Sequence, residues 1–159
     1  MPNFIGVGHV GLGGKDLAAL AAFYRDVLGM TVVRESPADA PFGASLFLGG
    51  HPEEEDHEVV FFSNPTLAHT AFKVASLGEL RTFYHEVKER RVPIKYALNH
   101  GVSLSFYFDD PEGHTIEIYW STNVRVRQFL AQPFDLDLPD EELLREVERV
   151  TGQSPSMSR

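Results

Sequence analysis

The sequence repeats itself at an offset of 60 residues, and this constrains its fold more than any other feature. His9 in "GHVGL" answers to His69 in "AHTAF", Phe23-Tyr24 to Phe83-Tyr84, and Val27 to Val87. The histidines lie in short alternating stretches and the aromatic pairs in helix-periodic ones, so the repeating unit contains both a strand and a helix. Each half opens with a strand (4–12, 67–74), continues as a helix (16–28, 77–90), and closes with three short strands. Those strands are expected at 31–35, 44–48 and 58–62, then at 94–97, 103–109 and 115–120. The fold class is α+β: two tandem βαβββ modules, 3–65 and 66–122, in one domain over 1–122.

Local signals agree with these bounds. Gly29 has the place of a helix C-cap, and Pro93 bars continuation of the second helix. A turn-rich insert, "ESPADAPFG", separates two strands of the first module. Residues 123–159 form a C-terminal extension outside the repeat. Its stretch "LPDEELLREVERV" has proline near the start, acids in the first turn and arginines later, which predicts a short helix at about 139–150 with a frayed tail beyond.

Composition narrows the function. The formal charge of -9 argues against a nucleic-acid partner, which needs clustered Lys and Arg. No apolar run approaches the roughly 20 residues of a membrane span. The start, "MPNFIGVGHVG", lacks the pattern of a signal peptide, so a cytoplasmic location is expected. Cysteine is absent, which excludes thiolate metal sites and cysteine nucleophiles.

The stretch "HGVSLSFYFDDPEGHTIEIYW" (100–120) raises the chemical question. One side of its two strands is apolar: Leu104, Phe106 and Phe108, then Ile116, Ile118 and Trp120. The other carries Ser103, Ser105 and Tyr107, then Thr115, Glu117 and Tyr119. If that face lines a pocket, Glu117 needs a cation. Two such modules placed edge to edge make a curved trough, with His9 and His69 at equivalent positions facing each other and Glu117 on the last strand. Two histidines and one carboxylate with open positions are the facial triad of non-haem Fe(II) oxygen chemistry.

The stretch resembles the vicinal oxygen chelate (glyoxalase/bleomycin resistance/dioxygenase) superfamily, and within it the small one-domain type I extradiol catechol dioxygenases. His100, Phe106, Tyr107, Asp110, Pro111, Gly113 and Glu117 follow that family's signature, while Leu98 departs from it. The resemblance spans roughly residues 5 to 121. It implies His9, His69 and Glu117 as ligands of Fe(II), with Mn(II) as the other candidate metal, and His100 and Tyr107 as catalytic groups touching the substrate. "HEVVFF" resembles the strand carrying the family's acid/base histidine, here His57. The implied reaction is ring cleavage of a catechol-type aromatic diol with O2. The metal would acidify a bound hydroxyl, and a histidine suits both removal and return of a proton. Assembly into a homo-oligomer is expected.

Other readings compete. A glyoxalase- or epimerase-type isomerase or lyase would use four ligands, the fourth being His57 or Glu58. A non-enzymatic binder would use the trough without metal. A thiol transferase of the fosfomycin-resistance type ranks last, because no basic phosphonate-binding cluster is present. His51 and His114 lie in turns and His85 on a helix, all expected at the surface. The Phe-Tyr pairs are expected to pack identically in both halves, without chemistry.

Overall fold

The computed structural model describes residues 3–156. Both βαβββ modules are present. The first comprises β1 (Phe4–Gly13), α1 (Leu17–Leu28), β2 (Thr31–Ser36), β3 (Ser45–Gly49) and β4 (Val59–Phe62). The second comprises β5 (His69–Val74), α2 (Leu77–Glu89), β6 (Ile94–Asn99), β7 (Ser103–Asp109) and β8 (Thr115–Ser121). The extension adds the two-residue β9 (Gln132–Pro133) and α3 (Asp140–Thr151). Among the described residues no helix is long and apolar enough to cross a membrane.

The chain divides into two compact units. Among the described residues, one holds 8–70 and 127–129; the other holds 3–7, 71–126 and 130–156. In the first unit the strands run in the order β2-β3-β4-β1, antiparallel except for the parallel β1–β4 pair, which sets Val10 beside Val59. Asp16 caps α1 by accepting from the Ala19 amide, and Gly29, at φ 69°, ends it as the sequence predicts. Alternation along β3 and β4 sends side chains to both faces of the sheet. Leu46, Leu48 and Phe61 pack beneath Leu17, Leu20 and Tyr24 of α1, whereas Phe47, Val60 and Phe62 pack with Leu67 and Phe129. The predicted strand from 67 starts only at His69. Asn64 accepts from the Thr66 amide and Pro65 fixes a single 3₁₀ turn over Pro65–Leu67, so the chain bends before it extends.

In the second unit the order is β5-β8-β7-β6-β9. Leu104, Phe106, Ile118 and Trp120, the apolar side read from sequence, meet Leu77, Leu80 and Val87 of α2 in one core. Ser76 caps α2 through the Glu79 amide. The extension closes over the same core with Leu136, Leu143 and Val147. Arg81 of α2 binds Asp140 and the Leu136 carbonyl, and Lys88 binds Asp137 at 2.7 Å, so α2 holds the extension by charge as well as by burial. β9 has no sequence signal. Its pairing of Leu98 with Pro133 follows once the extension is held there.

Candidate functional site

In the first unit, His9 on β1 and His69 at the start of β5 point ring nitrogens at one another, Nε2 to Nε2 at 3.1 Å, with the rings nearly perpendicular. His69 Nδ1 lies 2.7 Å from the Leu67 carbonyl. A carbonyl only accepts, so Nδ1 carries the proton and, in the neutral ring, Nε2 presents a lone pair. Holding the far nitrogen in this way is how proteins orient a metal-binding imidazole. Gly11 makes the room: a Cβ there would stand 2.7 Å from His69 Cε1 and Nδ1.

His57 lies buried just before β4. Its ring lies 4.3 Å from that of His9, tilted by 42°, and meets Phe47 edge-on at 4.9 Å. Its Nδ1 donates to Asp56 Oδ2 at 2.7 Å. Asp56 in turn accepts two hydrogen bonds from Arg34, at 3.0 and 2.5 Å. Arg34 is buried where the β2–β3 register shifts, with its guanidinium 4.6 Å over the Phe47 ring. Burial, helped by His9, lowers the His57 pKa to about 4, and the pull of Asp56 in the other direction does not compensate. Burial works to raise the Asp56 carboxyl, but the hydrogen bonds from His57 and Arg34 outweigh it and hold the group well below the ordinary carboxylate range.

In the second unit, the polar side of the β7–β8 ribbon is not wet. Ser105, Tyr107, Glu117 and Tyr119 are all buried, with Glu117 only 1% exposed, and Tyr107 is the cross-strand partner of Glu117. His100 Nδ1 donates to the Leu130 carbonyl at 2.5 Å. In the neutral ring its Nε2 therefore accepts from the Tyr107 hydroxyl at 2.9 Å. Burial, and then the negative charge of Glu117, push the Tyr107 pKa well above that of an ordinary phenol, so the hydroxyl keeps its proton and remains a donor.

Residues 6–118 match the Glyoxalase/Bleomycin resistance protein/Dioxygenase superfamily. The chain belongs to this superfamily. The chain is also similar to biphenyl-2,3-diol 1,2-dioxygenase 3 of Rhodococcus globerulus, 34% identical over 122 residues that cover 69% of this chain and 60% of that protein. Among solved structures, the fold is similar to the Mn(II)-bound glyoxalase from Novosphingobium aromaticivorans (TM-score 0.64, 20% identity, 83% of this chain and 44% of that one). It is also similar to homoprotocatechuate 2,3-dioxygenase from Arthrobacter globiformis (TM-score 0.62, 24% identity, 79% and 39%). The chain thus spans at most 60% of the length of these proteins.

The remaining histidines behave as their turns and helix predict. His51 and His114 are largely exposed and pair with Glu58 and Asp110, and His85 lies near Asp137. Glu58, the alternative fourth ligand, spends its carboxylate on the Gly50 and His51 amides. Sequence reading did not anticipate Arg34, Asp56 or the Leu130 carbonyl. An arginine inside the apolar strand "TVVRES" and an aspartate beside His57 are the signals that could have pointed to the first two.

Proposed function

We propose that this protein is a metal-dependent extradiol dioxygenase that cleaves the ring of a catechol-type aromatic diol with O2. The observation that carries the reading is the His9–His69 pair: two repeat-equivalent imidazoles whose Nε2 atoms face each other, one with its tautomer fixed by a backbone carbonyl. We assign His9, His69 and Glu117 as the residues that would hold the ion, because their N/O donors suit Fe(II), with Mn(II) as the alternative. A dioxygenase of biphenyl-2,3-diol at 34% identity supports the choice of reaction and of substrate class.

When bound, such an ion supplies Lewis acidity to a diol and open positions for the two reactants. The protein's own groups then have distinct tasks. His57, neutral at pH 7 and protonated at Nδ1 toward Asp56, offers Nε2 as the base that takes a diol proton and returns it as the ring opens. Tyr107, kept protonated by burial, has its one hydroxyl proton turned toward His100 Nε2, so its oxygen would accept a hydrogen bond from a diol hydroxyl. The four-ligand isomerase reading loses Glu58, whose carboxylate is engaged by the 50–51 turn.

The test is anaerobic loading with Fe(II), followed by air and a panel of mono- and bicyclic catechols. Oxygen uptake together with the yellow ring-opened product, lost in Glu117→Ala and His69→Ala, is the expected result. One metal per chain with no uptake on any catechol would overturn it.

A further inference from the structure

We propose that Arg34 and Asp56 are positioning residues for His57, forming a buried three-residue relay that selects which imidazole nitrogen faces the substrate. The inference rests on the ring-cleavage reading for its catalytic consequence, but its geometry stands alone. Arg34 and Asp56 could have been a structural ion pair tying β2 to the loop before β4. Two features go beyond that. Asp56 Oδ2 accepts from both Arg34 Nη2 and His57 Nδ1, so the oxygen that anchors the guanidinium also anchors the ring. The ring plane is held independently, by His9 on one side and the Phe47 edge on another.

The consequences are chemical. A carboxylate cannot donate, so His57 is confined to the Nδ1–H tautomer and Nε2 is its basic atom. Rotation about χ2 would break the Nδ1 bond and lose both aromatic contacts. Asp56 alone could swing with its loop, but two hydrogen bonds from Arg34 fix it, and Arg34 is itself held over Phe47. The relay works through orientation and tautomer.

The experiment uses the full chain labelled with 15N in its histidines. In the metal-free protein, two-bond 1H–15N correlations, with His57 assigned by its loss in His57→Gln, should show a single Nδ1–H tautomer. Asp56→Asn, whose amide can donate, should move His57 toward the Nε2–H form. In the Fe(II)-loaded enzyme the same variant should lower kcat by about a hundredfold or more, with KM changed little. Arg34→Gln should give a mixture of tautomers and a smaller kcat loss, and it carries both readouts if Asp56→Asn does not fold. An unchanged tautomer in the variants, or a switched tautomer with wild-type kcat, would overturn the relay. If the wild-type enzyme cleaves no catechol, the ring-cleavage reading fails by itself, and the tautomer measurement alone decides whether Arg34 and Asp56 position His57.

Discussion

Two helices drawn from one repeat end with different surfaces. Tyr24 of α1 meets Phe61 edge-on at 5.1 Å, and its counterpart Tyr84 of α2 meets Phe106 in the same manner at 5.4 Å. The sheet-facing side is thus reproduced. The other side is not. Phe83 stacks on Phe4 at 4.6 Å and Val87 is 8% exposed, whereas Phe23 and Val27 are 55% and 63% exposed. Identical packing of the two Phe-Tyr pairs, expected from sequence, therefore holds for the tyrosines and fails for the phenylalanines. Phe83 is covered by Phe4 of β1, and Val87 shares a core with Leu136, Leu143 and Val147 of the extension, while α1 buries no residue fully. A repeat specifies how a helix meets its own sheet. What covers the helix's far side depends on segments outside its own module.

The widest separation is expected between Leu80→Ala and Leu20→Ala, one residue type at equivalent positions. Leu80 is fully buried and should cost about 2–5 kcal/mol in urea unfolding. Leu20, only half-buried, should cost about 1 kcal/mol. Equal losses would break the comparison.

Acid should act on the first unit through His57. Its pKa of about 4 lies below the 6.5 of the free group, so as pH falls the unfolded chain takes up the proton first. The stability gained by keeping the ring neutral is complete above about pH 6.5 and is lost toward pH 4. It amounts to roughly 3 kcal/mol in the metal-free protein. Thermal melts across that window should show the decline in the wild type and a flatter profile in His57→Gln.

Gly11→Ala sharpens the contrast at the next level. The repeat counterpart of Gly11 is Ala71, whose methyl group is fully buried without difficulty, yet a methyl at Gly11 would meet the His69 ring at 2.7 Å. Displacing that ring should weaken Fe(II) or Mn(II) binding by about 10–100-fold in a competition titration with a chelator. Unchanged affinity would mean that His69 tolerates movement.

The smallest effect belongs to the contact between α2 and the extension. Asp140→Asn removes the partner of Arg81, but Asp140 is half exposed, so the loss should stay under about 1 kcal/mol by the same urea assay. A larger loss would mean that charge, rather than Leu143 and Val147, holds the extension in place.

The sequence by itself determined the repeat, and with it the order of ten strands and helices to within a residue or two. Periodicity and caps are local, so they survive translation from chain to fold. The repeat paired His9 with His69, alternation set Glu117 on the polar face of its strand, and the resemblance to a family signature of fixed spacing added His100 and Tyr107 as candidates. Tertiary structure alone decided three further things. It buried the polar face of β7–β8, which alternation leaves open to either water or protein. It set Phe4 and the extension against α2, so that Phe83 and Val87 are covered where Phe23 and Val27 are exposed. It also joined Arg34 to Asp56 across 22 residues of chain, and Leu130 to His100 across 30. Hydrogen bonds of that span have no period and no motif. They depend on where the backbone returns, which only the packed chain defines.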